Sequence, residues 1–372
     1  MNSLRYPRSA AVYGVHERAD EVQHFGMPLK EQRDLAAGRA VADLSSFRVY
    51  TLTGEDRLRW LHSLTTQSLE NLPAGTSTET LILSATGHIE HWVRIIAEED
   101  SLWLIFETGG EEAVEWLNSM RFMMRAEITD RTPEFQCVGT VGPAPEGLPV
   151  QAEWNDPWPA IGAGSASYAA LDLGQEQASP KHPGRTHDLR IQLCPREQLR
   201  DWQPNGVAGR DAWEALRIEN WRPSPQDIDA KTLVGEIDVL RTAVHLAKGC
   251  YRGQEAVARV HNLGQVPRRL VFLHIDGSTH TIPRPGAEVY AEVRGAERVI
   301  GHLTSTAIHY EYGPVALALI RRGTNSDAQL LVAGDEDEKL PTTVEEIVAV
   351  KRENRVGLPQ SNREADLRRF GR

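Results

Sequence analysis

The amino-acid sequence predicts an α+β protein of 372 residues whose C-terminal part is an all-β domain. Strand and helix patterns interleave before that domain without the strict alternation that a doubly wound sheet requires. Near Val266-Pro267 the pattern changes to short β-type segments separated by Gly and Pro, which is typical of a small barrel or sandwich. The length allows two or three domains.

In the first half of the chain, a predicted helix lies between strand patterns. Residues 53–56, Thr-Gly-Glu-Asp, provide a hydroxyl cap followed by acidic side chains, and Leu58, Leu61 and Leu64 then recur every third residue. We therefore predict an amphipathic helix over residues 56–66. The predicted strands around it are residues 47–52, 81–83, 88–97 and 102–106.

Apolar residues at helical spacing predict two further helices, over residues 111–124 and 211–220. Between them, residues 142–184 are rich in Pro, Gly, Ala and Ser, which predicts loop over 154–164 and at most one weak strand elsewhere. The predicted C-terminal strands, five or six in all, include residues 270–275, 288–293, 299–305 and 315–320.

Composition and charge exclude several classes of partner. The formal net charge is -11 and the pI is near 5.7, whereas a general nucleic-acid or anionic-membrane surface needs a basic patch. The first thirty residues carry charges and no apolar core of signal-peptide length. No apolar stretch approaches the length of a membrane span. We expect a soluble, cytoplasmic protein without direct nucleic-acid or membrane partners.

The three cysteines are too far apart for a local metal knuckle. Cys137, Cys194 and Cys250 are separated by more than fifty residues and include no C-x-x-C pair, so we expect no metal site. An odd and sparse set is not a disulfide framework, which indicates a reducing compartment.

Cys250 lies in the run Lys-Gly-Cys-Tyr-Arg-Gly-Gln-Glu at residues 248–255. The glycines at 249 and 253 permit positive φ or a close approach to a ligand. Residues 254–260 have a helical pattern, and Lys248 and Arg252 add positive charge, so both the helix N-terminus and these cations would favour a thiolate. The alternative, a small buried apolar residue, fits Cys137 and Cys194 better.

Two other segments carry candidate chemistry. Within Arg217-Ile218-Glu219, a buried carboxylate could accept the paired N–H groups of a pterin, although an exposed helix salt bridge is the alternative. Within residues 87–91, strand alternation would place His88, Glu90 and Trp92 on one face, with Ile89, His91 and Val93 on the other. The histidines would then point in opposite directions, which disfavours a shared metal. An acid/base role for Glu90 and His91 and a solvated sheet face both stay open.

The octapeptide at residues 248–255 resembles the signature of the YgfZ family of folate-binding proteins, relatives of the glycine-cleavage T-protein (aminomethyltransferase). The resemblance covers roughly residues 30–345, although Val234 stands where relatives usually have proline. It also includes residues 43–45, 54–56, 61–66, 122–132, 217–219, 257–259, 262–264 and 268–270, with Asp229, Thr232 and Glu236.

The resemblance implies a three-lobed, T-protein-like cloverleaf around a folate channel, closed on one side by a C-terminal antiparallel β-barrel. It implies an arm at residues 1–30, a two-lobed folate-binding region at 31–265, the barrel at 267–345 and a tail at 346–372. The implied cofactor is tetrahydrofolate or a one-carbon-substituted folate. Its predicted contacts are Glu219, Arg217, Tyr251 and Arg252, and Cys250 and Lys248 are the predicted catalytic residues.

The resemblance also implies a function and an alternative. T-proteins carry an Asp-Asp pair where this chain has Glu90-His91, and they lack the cysteine of the octapeptide. Both departures favour the YgfZ branch, which supports the assembly or repair of iron–sulfur proteins, with folate and those proteins as partners and a monomeric state. The alternative is a folate-dependent aminomethyltransferase or other one-carbon transferase, with Glu90 or His91 as the base.

Overall fold

A computed structural model of the chain describes residues 4, 10–14, 19, 21–186, 188–263, 266–278, 281–325, 327–335 and 338–350. The helices among them are α1 (Pro28–Ala36), α2 (Arg57–Leu64), α3 (Gly110–Ser119), α4 (Arg196–Leu199), α5 (Arg210–Glu219), α6 (Leu240–Ala243) and α7 (Gln254–Leu263).

The strands fall into four sets. The N-terminal set is β1 (Val12–Tyr13), β2 (Val22–His24), β3 (Val41–Leu44), β4 (Arg48–Thr53), β5 (Ser77–Leu83), β6 (Ile89–Ala97) and β7 (Ser101–Phe106). The middle strands are β8 (Glu127–Asp130), β9 (Phe135–Val141), β10 (Ala152–Asn155), β11 (Leu189–Pro195) and β12 (Val207–Ala208). The C-terminal strands are β13 (Arg268–Ile275), β14 (Glu288–Val293), β15 (Ala296–His309), β16 (Gly313–Arg321), β17 (Leu330–Ala333) and β18 (Lys339–Glu346).

Three of these sets form the three lobes. One lobe is the five-stranded sheet β10-β11-β9-β3-β12, and a second is the five-stranded sheet β5-β6-β7-β4-β8. The third is a closed barrel in the order β13-β16-β15-β14-β17-β18, whose neighbouring strands are all antiparallel. The remaining strands, β1 and β2, pair as a small hairpin, and β2 contacts α5.

A shared apolar core lies where the lobes meet. It contains Trp92 from the second lobe, Ile218 from α5, Val257 from α7 and Phe272 from the barrel, all nearly fully buried. Each lobe also has its own apolar cluster. Burial of about 25 cal/mol per Å² of apolar surface makes such a junction a main source of stability. The junction therefore fixes the lobes relative to one another.

The structure confirms the predicted α+β class and the closed C-terminal β-barrel, which has six strands. The helices predicted over residues 56–66, 211–220 and 254–260 correspond to α2, α5 and α7. The prediction of helix over residues 111–124 was too long, because α3 ends at Ser119 and Phe122 takes a left-handed backbone with φ 46°. The predicted loop at 154–164 began too early, since Trp154 and Asn155 belong to β10.

The predicted domain boundaries stay a prediction. Most of the first twenty residues of the predicted arm, and residues 351–372 of the predicted tail, lie outside the described part of the chain. Within that part, no helix is both long enough and apolar enough to cross a membrane.

Candidate functional site

The octapeptide forms the turn that leads into α7, and its two glycines have different roles. Gly253 has φ +84°, and a Cβ there would lie 2.6 Å from the carbonyl oxygen of Ser84. Gly87 is packed as closely on the other side, since its Cβ would lie 2.7 Å from Cβ of Ala256. Gly249 has no described atom near its Cβ position and no positive φ. The turn is therefore held tightly against the β5–β6 connection through Gly253, and not through Gly249.

Lys248 is buried and holds the end of α2. Its Nζ donates hydrogen bonds of 2.5–2.9 Å to the backbone carbonyls of His62, Thr65 and Gln67. Burial lowers the pKa of Lys248 to about 8, whereas three carbonyl acceptors favour the protonated ammonium. All three ammonium hydrogens can be used in these bonds. The geometry supports an anchoring role for Lys248 beside the predicted catalytic one.

Replacing Lys248 with methionine should lower the free energy of unfolding by about 1.5–3 kcal/mol, because buried carbonyls lose a charged donor. Urea denaturation of the purified variant measures this. The matched control is Lys231→Met at an exposed position, which should change stability by no more than about 0.5 kcal/mol. Equal effects of the two substitutions would contradict the anchoring role.

Tyr251 is a core residue of the turn. Its side chain is buried in the shared core, and its ring lies 5.2 Å from Nζ of Lys248. Burial raises the pKa of Tyr251 to about 12. The ring therefore orders the octapeptide, and its predicted contact with the cofactor stays a prediction.

Cys250 is exposed, whereas Cys137 and Cys194 are buried. Burial raises the pKa of Cys137 to about 12 and that of Cys194 further still, so both thiols stay protonated. The apolar-core interpretation of these two cysteines is confirmed. Cys250 has the accessibility that a reacting thiol needs.

Arg252 and Glu90 join the octapeptide to the segment at residues 87–91. The guanidinium donates to both carboxylate oxygens of Glu90, at 2.6 and 3.3 Å, and lies 5.6 Å from the ring of Trp116. Both charged side chains are more than one third exposed, so this pair contributes little to stability. The structure thus brings together two motifs that are 160 residues apart and that the sequence indicated separately.

A β-bulge changes the predicted faces of this segment. Leu83 pairs with Ile89 while Ile82 pairs with His91, so β6 carries an extra residue here. Ile89 and Trp92 consequently share one core cluster, although simple alternation placed them on opposite faces. His91 is more than half buried beside the backbone of Gly109. Burial lowers its pKa, while Glu90 and Glu112 act in the opposite direction.

Arg217 and Glu219, predicted to act together, lie in different surroundings. The Arg217 guanidinium uses all five N–H groups on Glu214, Asp227, Ser305 and the carbonyl of Arg222. It therefore has no donor left for a cofactor, and the geometry corrects its predicted role from ligand contact to support of the surrounding structure.

Glu219 lies at the end of α5 against the barrel. Its Oε2 is 3.3 Å from Nε2 of His309, and 13% of its side chain is exposed. His309 stacks on Tyr312, with ring centroids 4.7 Å apart, and its Nδ1 accepts from backbone N–H groups, which leaves the hydrogen on Nε2. Burial and the Glu219 charge both raise the pKa of Tyr312. The surroundings of Glu219 thus combine a carboxylate with aromatic rings.

A cavity of about 1220 Å³ lies on another side of α5, bordered by the N-terminus of α3. Its lining includes Glu107, Arg210 and Gln226, whereas neither Cys250 nor Glu219 is among its described lining residues. The volume exceeds the range of about 300–1,000 Å³ that is usual for small-molecule sites. The cavity therefore has room for an organic ligand.

Beneath the cavity runs a chain of buried ion pairs. Arginines and carboxylates alternate along it in the order Arg94, Glu107, Arg210, Glu214, Arg217 and Asp227. Burial raises the pKa of Glu107, but Arg210 and Arg94 outweigh it and hold that pKa well below its usual range. This ion-pair chain connects β6 and β7 of the second lobe to α5, and through Asp227 it reaches Thr304 and Ser305 of the barrel.

The sequence analysis missed the ion-pair chain and the cavity. One signal was available, because Arg210, Glu214 and Arg217 are spaced by four and three residues on one helix. The other partners come from distant segments, and only the packing of the lobes brings them to the helix.

Comparison with known proteins supports the architecture. Residues 6–149 match the GCVT N-terminal domain family. A chloroplastic protein of Arabidopsis thaliana, described provisionally as a transferase, is 26% identical over 316 residues, or 80% of this chain and 69% of that protein. The crystal structure of the glycine cleavage system aminomethyltransferase T from Bartonella henselae has a TM-score of 0.68 at 15% identity, covering 92% of this chain and 94% of that chain. The chain therefore has the fold of an aminomethyltransferase T.

Proposed function

We propose that this chain is a tetrahydrofolate-binding protein of the YgfZ type that supports iron–sulfur cluster assembly or repair through the thiol of Cys250. The observation that carries the proposal is the exposed Cys250, held by a rigid turn beside the Arg252–Glu90 pair. The resemblance of residues 248–255 to the YgfZ signature supports the same assignment.

The residues around Glu219 fit a pterin. A partly exposed carboxylate can accept the paired N–H groups of the pterin edge, and Tyr310 and Tyr312 offer aromatic faces next to it. Tetrahydrofolate, when bound, supplies a carrier for a one-carbon unit. Glu219 would hold the pterin, and His309 would fix the orientation of the Glu219 carboxylate.

In this proposal, the thiol of Cys250 reacts with a client protein from the surface of the turn. Thiolate is the nucleophilic and metal-binding form of cysteine, and the exposed position gives a client access to it. The half-exposed Arg252, paired with Glu90, lies two residues along and provides a positive group beside the thiol. Iron–sulfur clusters are the cargo of the client and not resident in this chain.

Tetrahydrofolate should raise the melting temperature of the wild-type protein. A ligand present at 100 times its Kd stabilises the native state by about 2.7 kcal/mol. In Glu219→Gln the rise should be lost, because an amide cannot accept both N–H groups of the pterin edge. The exposed Glu70→Gln is the matched control and should keep the rise. No shift in the wild-type protein would overturn folate binding.

Cys250→Ala should abolish complementation of an iron–sulfur maintenance defect while unfolding and folate binding stay unchanged. The reason is that the exposed thiol contributes little to packing. Complementation is read from the activity of an iron–sulfur enzyme in the deficient cells. Full complementation by Cys250→Ala would overturn the proposed role of the thiol and leave folate binding as a separate result.

The second candidate function is a one-carbon transferase that uses folate and an amine. The match to the GCVT N-terminal domain favours it, and so does the description of the Arabidopsis thaliana relative. Glu90 or His91 would be the base, at the bulge of β6. An assay for methylene-tetrahydrofolate formation from a panel of amines decides between the functions, since an absence of turnover with every amine would remove this one.

A further inference from the structure

The cavity of about 1220 Å³ is bordered by a helix N-terminus that is open to it. Residues 108–112, which contain the first turn of α3, all line the cavity. The N-cap residue is Gly109 in a left-handed backbone with φ 65°, and no described side chain caps the helix. The first N–H groups of a helix have no partner within it, and the helix dipole makes that end favourable for an anion.

Arg210 lines the same cavity and is 2% exposed. Its Nη2 is paired with Glu107 and Glu214. Its Nε and Nη1 are buried without a hydrogen-bond partner among the described residues, and the guanidinium lies 4.9 Å from the ring centroid of Phe47. A buried donor left unpaired costs about 1–3 kcal/mol, more when charged, so these N–H groups favour an acceptor supplied from outside the protein.

The charges of the cavity limit the kind of anion. Four arginines and five carboxylates are among the described lining residues, which gives a formal charge of −1. A polyanion such as a nucleotide triphosphate or a nucleic acid would meet repulsion there. Glu111 does not occupy the anion position at α3, because its side chain is 74% exposed and pairs with Arg48 at 3.4 Å. A compact anionic group on an otherwise neutral or zwitterionic body suits these walls.

We propose that the cavity binds an organic ligand through one carboxylate, received by Arg210 and the N-terminus of α3. The carboxylate replaces the missing partners of the guanidinium and accepts from the first-turn N–H groups of the helix. The inference does not depend on the proposed functions of Cys250 or Glu219, because neither residue lines the described cavity. Two sources offer this chemistry: the glutamate tail of a folate and a free small organic acid.

Saturation-transfer NMR on the full chain tests the proposal with N-(4-aminobenzoyl)-L-glutamate and with propionate. At least one of the two carboxylates should bind, and the uncharged propionamide should not. Binding of the first probe alone assigns the tail of a folate, and binding of propionate assigns a small organic acid. Absence of binding by both carboxylates, or equal binding of propionamide and propionate, would overturn the proposal.

Two substitutions connect the binding to Arg210. Arg210→Lys keeps a cation near Glu107 but removes Nε and Nη1, so carboxylate affinity should fall about tenfold to a hundredfold. Arg190→Gln is the matched control, because Arg190 pairs with Glu153 and Asp188 and does not line the cavity. Thermal unfolding and circular dichroism check that each variant is folded. If Arg210→Lys is folded and binds carboxylate as the wild type does, the assignment to Arg210 is wrong.

Discussion

Replacing Arg217 with methionine is expected to lower the free energy of unfolding by about 3–5 kcal/mol. Its guanidinium makes ion pairs with Glu214 at 2.5 Å and with Asp227 at 2.8 Å, and all three side chains are at most 8% exposed. Methionine preserves much of the volume but leaves two buried carboxylates without their shared cation. The cost arises chiefly from those orphaned charges.

The same substitution should also loosen the contact between lobes. Arg217 donates to Ser305 of the barrel at 2.7 Å, and Asp227 accepts from both Thr304 and Ser305. Loss of Arg217 therefore removes one direct bond across the interface and disturbs the carboxylate that makes the others. Hydrogen exchange should show faster exchange in α5 and in the middle of β15.

Urea denaturation of Arg217→Met measures the loss of stability, and Arg125→Met is the matched control. Arg125 also pairs with two carboxylates, Glu55 and Asp56, but its side chain is 67% exposed. Because solvent screens an exposed pair, the control should lose no more than about 1 kcal/mol. Losses of similar size in the two variants would show that the buried ion-pair chain contributes no more than a surface pair.

Gly253→Ala is expected to destabilise the turn of the octapeptide and displace the start of α7. The positive φ alone costs a residue with a Cβ about 1–3 kcal/mol, and the new methyl group would meet the Ser84 carbonyl at 2.6 Å. Backbone atoms on both sides of this contact cannot move without shifting the β5–β6 connection or α7. Function in the complementation assay should fall with stability, because Cys250 and Arg252 precede Gly253 in the same turn.

The control for this prediction is Gly249→Ala in the same octapeptide. A Cβ at Gly249 meets no described atom within 4 Å, and its backbone does not have positive φ. Alanine there should be neutral or stabilising by about 0.4–1 kcal/mol, because it restricts the unfolded chain. Thermal unfolding and hydrogen exchange of the α7 amides measure both variants. An intact α7 in Gly253→Ala would contradict the steric argument.

Features that depend on neighbouring residues could be predicted from the sequence. The helix α2 follows from its start signal and from leucines at helical spacing, and the barrel follows from short strands divided by Gly and Pro. The octapeptide was also found, since its glycines and charges are adjacent in the chain. Exposure of Cys250 and burial of Cys137 and Cys194 agree with the character of their neighbours.

Features that depend on the packing of distant segments could not be predicted. The bulge in β6 reverses the face of Ile89, and the pairing between Leu83 and Ile89 that reveals it is absent from the local pattern. Lys248 was interpreted as a cation near a thiol, although its acceptors are carbonyls almost two hundred residues away. Arg210 was not considered, because its partners and the cavity beside it exist only after the lobes assemble.

The shared core at the junction has a consequence for cooperativity. Phe272 and Leu317 of the barrel are buried together with Trp92 of the second lobe and Ile218 of α5 in a single apolar cluster. No lobe can leave the others without exposing part of that cluster to water, so partial unfolding by whole lobes costs a large share of the total stability. The three lobes are thus separate in topology but constitute one folding unit, and a fragment that ends before the barrel would expose an apolar face prone to aggregation.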